Sequence, residues 1–212
     1  MKRPLLALIL ACLTAAVSTA DVNAGKSPNI LLILVDDMGY SDLGCYGGEI
    51  KTPNIDALAS NGLRYSQFYN SARCVPTRAA ILSGYYAQQI NRDSVLDVKR
   101  TGKGNRPAWA PLLPDYLEPA GYRSYHSGKW HIDGKPTESG FDRSLYVVHG
   151  DRYFSPKTLF TDDKQYTPEK SSKAFYATTA IADHAIEVLR EHQRQHADAP
   201  FLNRKSTRLN SS

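Results

Sequence analysis

Hydrophobic positions fall into a few separated blocks, and each block ends in polar residues of a distinct kind. Pro28-Asn29-Ile30-Leu31-Leu32-Ile33-Leu34-Val35 is an unbroken apolar run closed by Asp36-Asp37. A run without alternation predicts a strand covered on both faces, the habit of parallel sheets. Ala79-Ala80-Ile81-Leu82 follows Cys74-Val75-Pro76-Thr77-Arg78. That order predicts a helix with Pro76 in its first turn and Cys74 just ahead of it. Gly121 to Gly128 reads as a short strand running into a glycine turn, with Lys129-Trp130-His131 behind it. From Lys173 to His196 the residues Phe175, Ile181, Ala185, Val188 and Leu189 recur at helical spacing. This predicts an amphipathic helix with His184, His192 and His196 on its polar face. Pro200-Phe201-Leu202 opens a further core strand, and the polar segment 93–109 reads as a surface loop.

The polar residues closing these blocks carry the chemistry. Asp36 and Asp37 fall at the C-terminal rim of a strand, where α/β sheets bind ligands. Adjacent carboxylates repel unless a cation neutralises them, and an all-oxygen donor set favours calcium, then magnesium, over zinc. Alone, the pair also suits a turn, since Asp and Gly favour turns. Cys74 at a helix start meets free N–H groups and the positive end of the helix dipole, and Arg78 can turn back toward it. A lone cysteine in that place reads equally well as a small buried apolar side chain. In an extended segment Lys129 and His131 point to one side and Trp130 to the other. By itself, Lys-x-His is an ordinary solvated loop.

Together, the Asp-Asp strand end, Cys74-x-Pro76-x-Arg78 and Gly128-Lys129-Trp130-His131 resemble the type I, formylglycine-dependent sulfatases of the alkaline phosphatase superfamily, in motif and in order. Gly39 to Gly47, Thr52 to Ala59, Gly62 to Tyr69 and Gly140-Phe141-Asp142 extend the likeness to bacterial arylsulfatases over residues 28–202. The resemblance implies an α/β, alkaline-phosphatase-like fold with a mostly parallel sheet sandwiched by helices, here truncated. It also implies conversion of Cys74 to Cα-formylglycine by a formylglycine-generating enzyme. One hydroxyl of the hydrated aldehyde would attack sulfur as the alcohol leaves, and the other would let the sulfated residue eliminate sulfate and collapse back to the aldehyde. Asp36, Asp37 and residue 74 hold calcium, Arg78 holds the formylglycine, and Lys129 and His131 grip the sulfate. Family members add later ligands that this chain does not reach. The expected substrate is a sulfate ester, among them sulfated glycans. The alternatives are a phosphonate or phosphodiester hydrolase of the same superfamily and a non-catalytic fragment that binds sulfated glycans.

Charge and chain ends refine the picture. Net charge is +5, yet removing Lys2, Arg3, Arg204, Lys205 and Arg208 from the 26 basic residues leaves 21 against 21 acidic ones. The basicity is an end effect and argues against nucleic acid as a partner. Residues 1–20 read as a signal peptide: Lys2 and Arg3, then apolar Leu5 to Val17, then Ser18-Thr19-Ala20. The apolar stretch is too short for a transmembrane span, so the expected location is secreted or periplasmic. A lipid anchor on Cys12 ranks second. An oxidising compartment would allow a Cys45–Cys74 disulfide, but that bridge would consume the proposed nucleophile. Residues 21–202 form the expected N-terminal part of the catalytic domain. Residues 203–212, polar and basic, read as a non-native or disordered tail unsuited to a buried sheet.

Overall fold

The computed structural model describes residues 27–93, 104–147, 153–156, 158–166 and 175–208. The signal peptide, Cys12, and the part of the expected surface loop at 94–103 lie outside the described residues.

Strand β1 spans Ile30–Asp36, β2 Arg123–Lys129, β3 Arg143–Val147, β4 Leu159–Thr161, β5 Lys164–Gln165 and β6 Phe201–Arg208. They form one six-stranded sheet in the order β1-β6-β2-β3-β4-β5. The first four in that order run parallel, and β4 and β5 are added antiparallel. Parallel pairing brings the C-terminal ends of β1 and β2 to the same rim, with β6 between them.

Helices cover both faces. Helix α1 is Pro53–Ser60, α2 Cys74–Ser83, α3 Leu113–Leu117 and α4 Ala177–Gln195. Proline opens α1, where its missing N–H costs nothing. Asp56 in its first turn accepts from the Cys45 backbone N–H and the Thr52 hydroxyl, each at 2.8 Å, and so pins the preceding turn. Helix α2 stops at Gly84, whose φ of 75° lets its N–H close on the Ala80 carbonyl. One core joins Leu82, Tyr122, Trp130, Phe141, Tyr146 and Leu202, and a second sets Ile181 of α4 against Leu145, Val147 and Leu159.

Several expectations are corrected. Cys74 is the first residue of α2, with Arg73 as the extended cap before it. Strand β1 lies at the sheet edge, and Leu31 and Ile33 are 56% and 47% exposed, so one of its faces is uncovered among the described residues. Gly128 is no turn. It lies inside β2 with φ at 119°, and a Cβ there would meet the Ser206 carbonyl oxygen at 1.8 Å. His192 is buried, and His184 donates to or accepts from the Ser127 hydroxyl at 2.7 Å, so both face the sheet rather than solvent.

Of the tail expected to be non-native or disordered, the part through Arg208 is ordered as strand. Asn203 to Arg208 continue β6, flanked by β1 and β2. Main-chain pairing on both sides makes this possible whatever the side chains, because backbone groups in a sheet satisfy one another. The side chains register the mismatch anticipated from composition. Arg204 is fully buried, its Nη1 lies 3.1 Å from His126 Nδ1, and its Nε and Nη2 have no hydrogen-bond partner. Burial, then the nearby Arg78 charge, holds the Arg204 pKa well below the usual guanidinium value. Residues 209–212 lie outside the described set.

Candidate functional site

The rim shared by β1, β2 and the start of α2 opens into a cleft of about 690 Å³. Asp36, Asp37, Cys74, Arg78 and His131 line it, and Lys129 reaches it from the end of β2 through Asp36. All six residues singled out in the sequence therefore meet at one place.

Asp36 is the hub. Its Oδ2 accepts from Lys129 Nζ at 2.7 Å and its Oδ1 from Arg78 Nη2 at 3.1 Å, with all three side chains buried. Burial alone would raise the Asp36 pKa, but the Lys129 hydrogen bond and the charge of Arg78 outweigh it and hold the carboxyl below the ordinary 3.8. Arg78 is oriented by two further acceptors, the Lys129 carbonyl at 2.7 Å and the Ser206 hydroxyl at 2.6 Å. Its guanidinium points at Asp36, and Arg78 and Cys74 line the same cleft.

Asp37 is exposed, and its carboxylate, that of Asp36 and the Cys74 sulfur lie within 4.8 Å of one another. Cys74 and Cys45 are both free thiols, so no disulfide consumes residue 74. Trp130 packs edge-on against His126 and Phe141 while His131 faces the cleft; both lie past the end of β2, so the left-handed backbone at His131 sets its direction, in place of the expected extended alternation. Asp37, Ala72 and His131 have φ of 57°, 49° and 54°, in the left-handed region that residues with a Cβ seldom occupy. Such backbone strain clusters where side chains must be aimed at a ligand.

Sequence reasoning missed two kinds of contributor. Ser206 reaches Arg78 across 128 positions of chain, and no local pattern could have announced it. Asn70 and Arg73 also line the cleft; Asn70 accepts from the Ala72 N–H at 2.6 Å and turns the chain into α2. An Asn two residues before a strained position is a recognisable turn signal.

As a chemical device the cleft offers an exposed carboxylate, a carboxylate neutralised by two cations, a thiol at the first turn of a ten-residue helix, and an imidazole. Oxygen donors clustered this closely suit a hard cation. The thiol is the poor member of the set, and an oxygen at residue 74 would complete it better.

Comparison with known proteins agrees over most of the chain. The family model described as Sulfatase matches residues 28–203. An uncharacterized sulfatase of Schizosaccharomyces pombe is 31% identical, over 84% of this chain and 37% of its own length. Human arylsulfatase H is 36% identical, over 73% of this chain and 30% of its own. Arylsulfatase of Klebsiella aerogenes is 33% identical, over 59% and 29% respectively. Among solved structures, Ps i-CgsB superposes with a TM-score of 0.74 at 27% identity, covering 87% of this chain and 46% of that one. BT4656 in complex with its substrate D-glucosamine-2-N,6-O-disulfate gives 0.67 at 29% identity, covering 85% and 34%. The chain thus spans less than half the length of each of these relatives, and its fold is alkaline-phosphatase-like.

Proposed function

Because this chain belongs to the sulfatase family, we propose that its cleft serves the hydrolysis of sulfate esters, with a sulfated sugar as the substrate class. The observation carrying this reading is the convergence of Asp36, Asp37, Cys74, Arg78, Lys129 and His131 on one rim. The disulfated glucosamine bound by BT4656 supports a sugar substrate.

The chain's own residues divide the work. Lys129 and Arg78 neutralise Asp36 and leave the pair of acids able to sit side by side. Arg78, fixed by Ser206 and the Lys129 carbonyl, keeps positive charge beside residue 74. The free N–H groups at the start of α2 face an incoming anion with no reorganisation, which favours charge developing on sulfate oxygens. His131 stands at the mouth, placed to hold a sulfate oxygen or move a proton. Asp36, Asp37 and an oxygen on residue 74 are the donors for calcium, which when bound would polarise a sulfate oxygen and acidify a hydroxyl. Formylglycine at position 74, made by a formylglycine-generating enzyme, would supply that oxygen and the nucleophile. Residues 1–20 support export to the periplasm or medium. No helix among the described residues is long and apolar enough to cross a membrane.

The test is turnover of aryl sulfate against aryl phosphonate, with Cys74 modified, by this chain and by the chain extended with the remaining length of a curated relative. Sulfate release that disappears with Cys74→Ala is the expected result. Turnover of the phosphonate alone by the extended protein would overturn it in favour of the other branch of the superfamily. Binding of sulfated glycan with no turnover of either ester would leave only a binding module.

A further inference from the structure

A second cationic cluster lies two residues past His131. Asp133 faces the Nε of Arg92 at 3.4 Å and the Nε of Arg106 at 3.9 Å. The Arg106 backbone N–H donates to Asp133 Oδ2 at 3.2 Å. The guanidinium forks are held from behind, Arg92 Nη1 on the Gly104 carbonyl at 2.8 Å and Arg106 Nη1 on the Ala110 carbonyl. These side chains are 13% and 15% exposed, and that of Asp133 is 11% exposed. Both Nε atoms and Asp133 Oδ1 are buried without a hydrogen-bond partner.

This is more charge than a brace requires. Two guanidinium groups share one facing carboxylate among the described residues, which leaves a net positive charge in a largely dehydrated place. Buried charge is costly unless it is paired, and a planar guanidinium fork pairs best with sulfate, phosphate or carboxylate oxygens. Position gives the cluster its meaning. Two residue steps span at most about 7 Å, so the Asp133 backbone stands close to that of His131, which lines the cleft.

We infer that Arg92 and Arg106 form a second anion subsite beside the cleft, which takes a further sulfate or carboxylate on a polyanionic sugar. The inference rests on the sulfate-ester reading of the cleft for its link to the substrate. The anion site itself stands on the arginine pair alone. If the pair only fastens the segment around residues 84–110 onto the turn after β2, it will not respond to anions.

The experiment follows the arginine Nε–Hε NMR signals of this chain during titration with inorganic sulfate and, separately, with glucuronate. Saturable shifts at Arg92 and Arg106 are expected, in His131→Ala as well as in the native sequence. A response to glucuronate alone would assign the carboxylate. No response to either anion overturns the proposal. Glucosamine bearing one or two sulfates then tests the link to the cleft. Arg106→Gln should weaken binding of the disulfated sugar about tenfold, the worth of one charge-assisted contact, and leave the monosulfated sugar within about twofold. Equal loss for both sugars overturns the subsite, since the arginine then acts through the fold. Arginine shifts with no sulfated sugar bound at the cleft would refute the sulfate-ester reading and leave the anion site standing.

Discussion

Lys129 Nζ donates to Oδ2 of Asp36 at 2.7 Å and joins the ends of two parallel strands across 93 positions of chain. Strand β6 lies between them, so the pair forms above the central strand of the rim. Removing the lysine would leave a buried carboxylate with Arg78 as its one ion-pair partner among the described residues. Breaking a buried ion pair is costly because the surviving charge stays dehydrated. Lys129→Met should therefore lower stability by about 3 kcal/mol in urea denaturation at neutral pH. A loss under about 1 kcal/mol would show that Arg78 alone balances Asp36.

The same pair fixes an acid limit. The folded pKa of Asp36 lies below 3.8, so its contribution is complete above the unfolded value and is lost as pH falls through the folded one. His184 acts higher on the scale. Burial, opposed by the Asp162 charge and reinforced by Arg143, pushes it down to about 4 from 6.5. Ser127 faces it from β2, Arg143 from β3, Asp162 from the β4–β5 turn and Glu191 from its own helix. Between pH 6.5 and 4 the unfolded chain takes up a proton that folded His184 refuses, so stability declines as pH falls across that window. The slope should approach about 1.4 kcal/mol per pH unit, and His184→Gln should reduce it. Denaturation curves at several pH values measure this, and an unchanged slope in the variant would refute the assignment.

Arg204 offers a stabilising change. It is buried on β6 beside His126, stands 5.6 Å over the Trp130 ring, and no carboxylate faces it among the described residues. Replacing buried charge with apolar volume commonly gains about 1–4 kcal/mol. Arg204→Leu should raise the thermal midpoint. A fall would mean that the cation–π contact with Trp130 and the His126 bond outweigh dehydration.

Calcium should bind this chain weakly. Among the described residues the clustered donors are Asp36, Asp37 and residue 74, while calcium takes about 6–8 oxygens, and both Asp36 oxygens already serve Lys129 and Arg78. Calorimetry should give a dissociation constant on the order of 1 mM or weaker, abolished in Asp37→Asn. Micromolar binding would show that further ligands had been missed.

The motifs were legible in sequence because each depends on near neighbours. An apolar run ending in Asp36-Asp37 and a proline in the first turn at Pro76 follow from strand and helix periods, whereas His131 reaches the cleft through a left-handed backbone past the end of β2 and not through strand alternation. Family likeness over residues 28–203 then bound them into one site. Other features depended on residues far apart in the chain. Leu31 and Ile33 looked doubly covered, since sequence does not say which strand stands at a sheet edge. Gly128 looked like a turn because only the approach of Ser206 explains it as a gap for a neighbouring backbone. His184 and His192 looked solvated, although Ser127 and Tyr125 wait on β2 to bond them. Residues 203–208 looked unsuited to a core, and pairing with β1 and β2 made them part of an interior strand of the sheet. Local periods and caps are written in neighbouring side chains, whereas burial, charge pairing and strand order arise from contacts between distant segments that only the tertiary fold brings together.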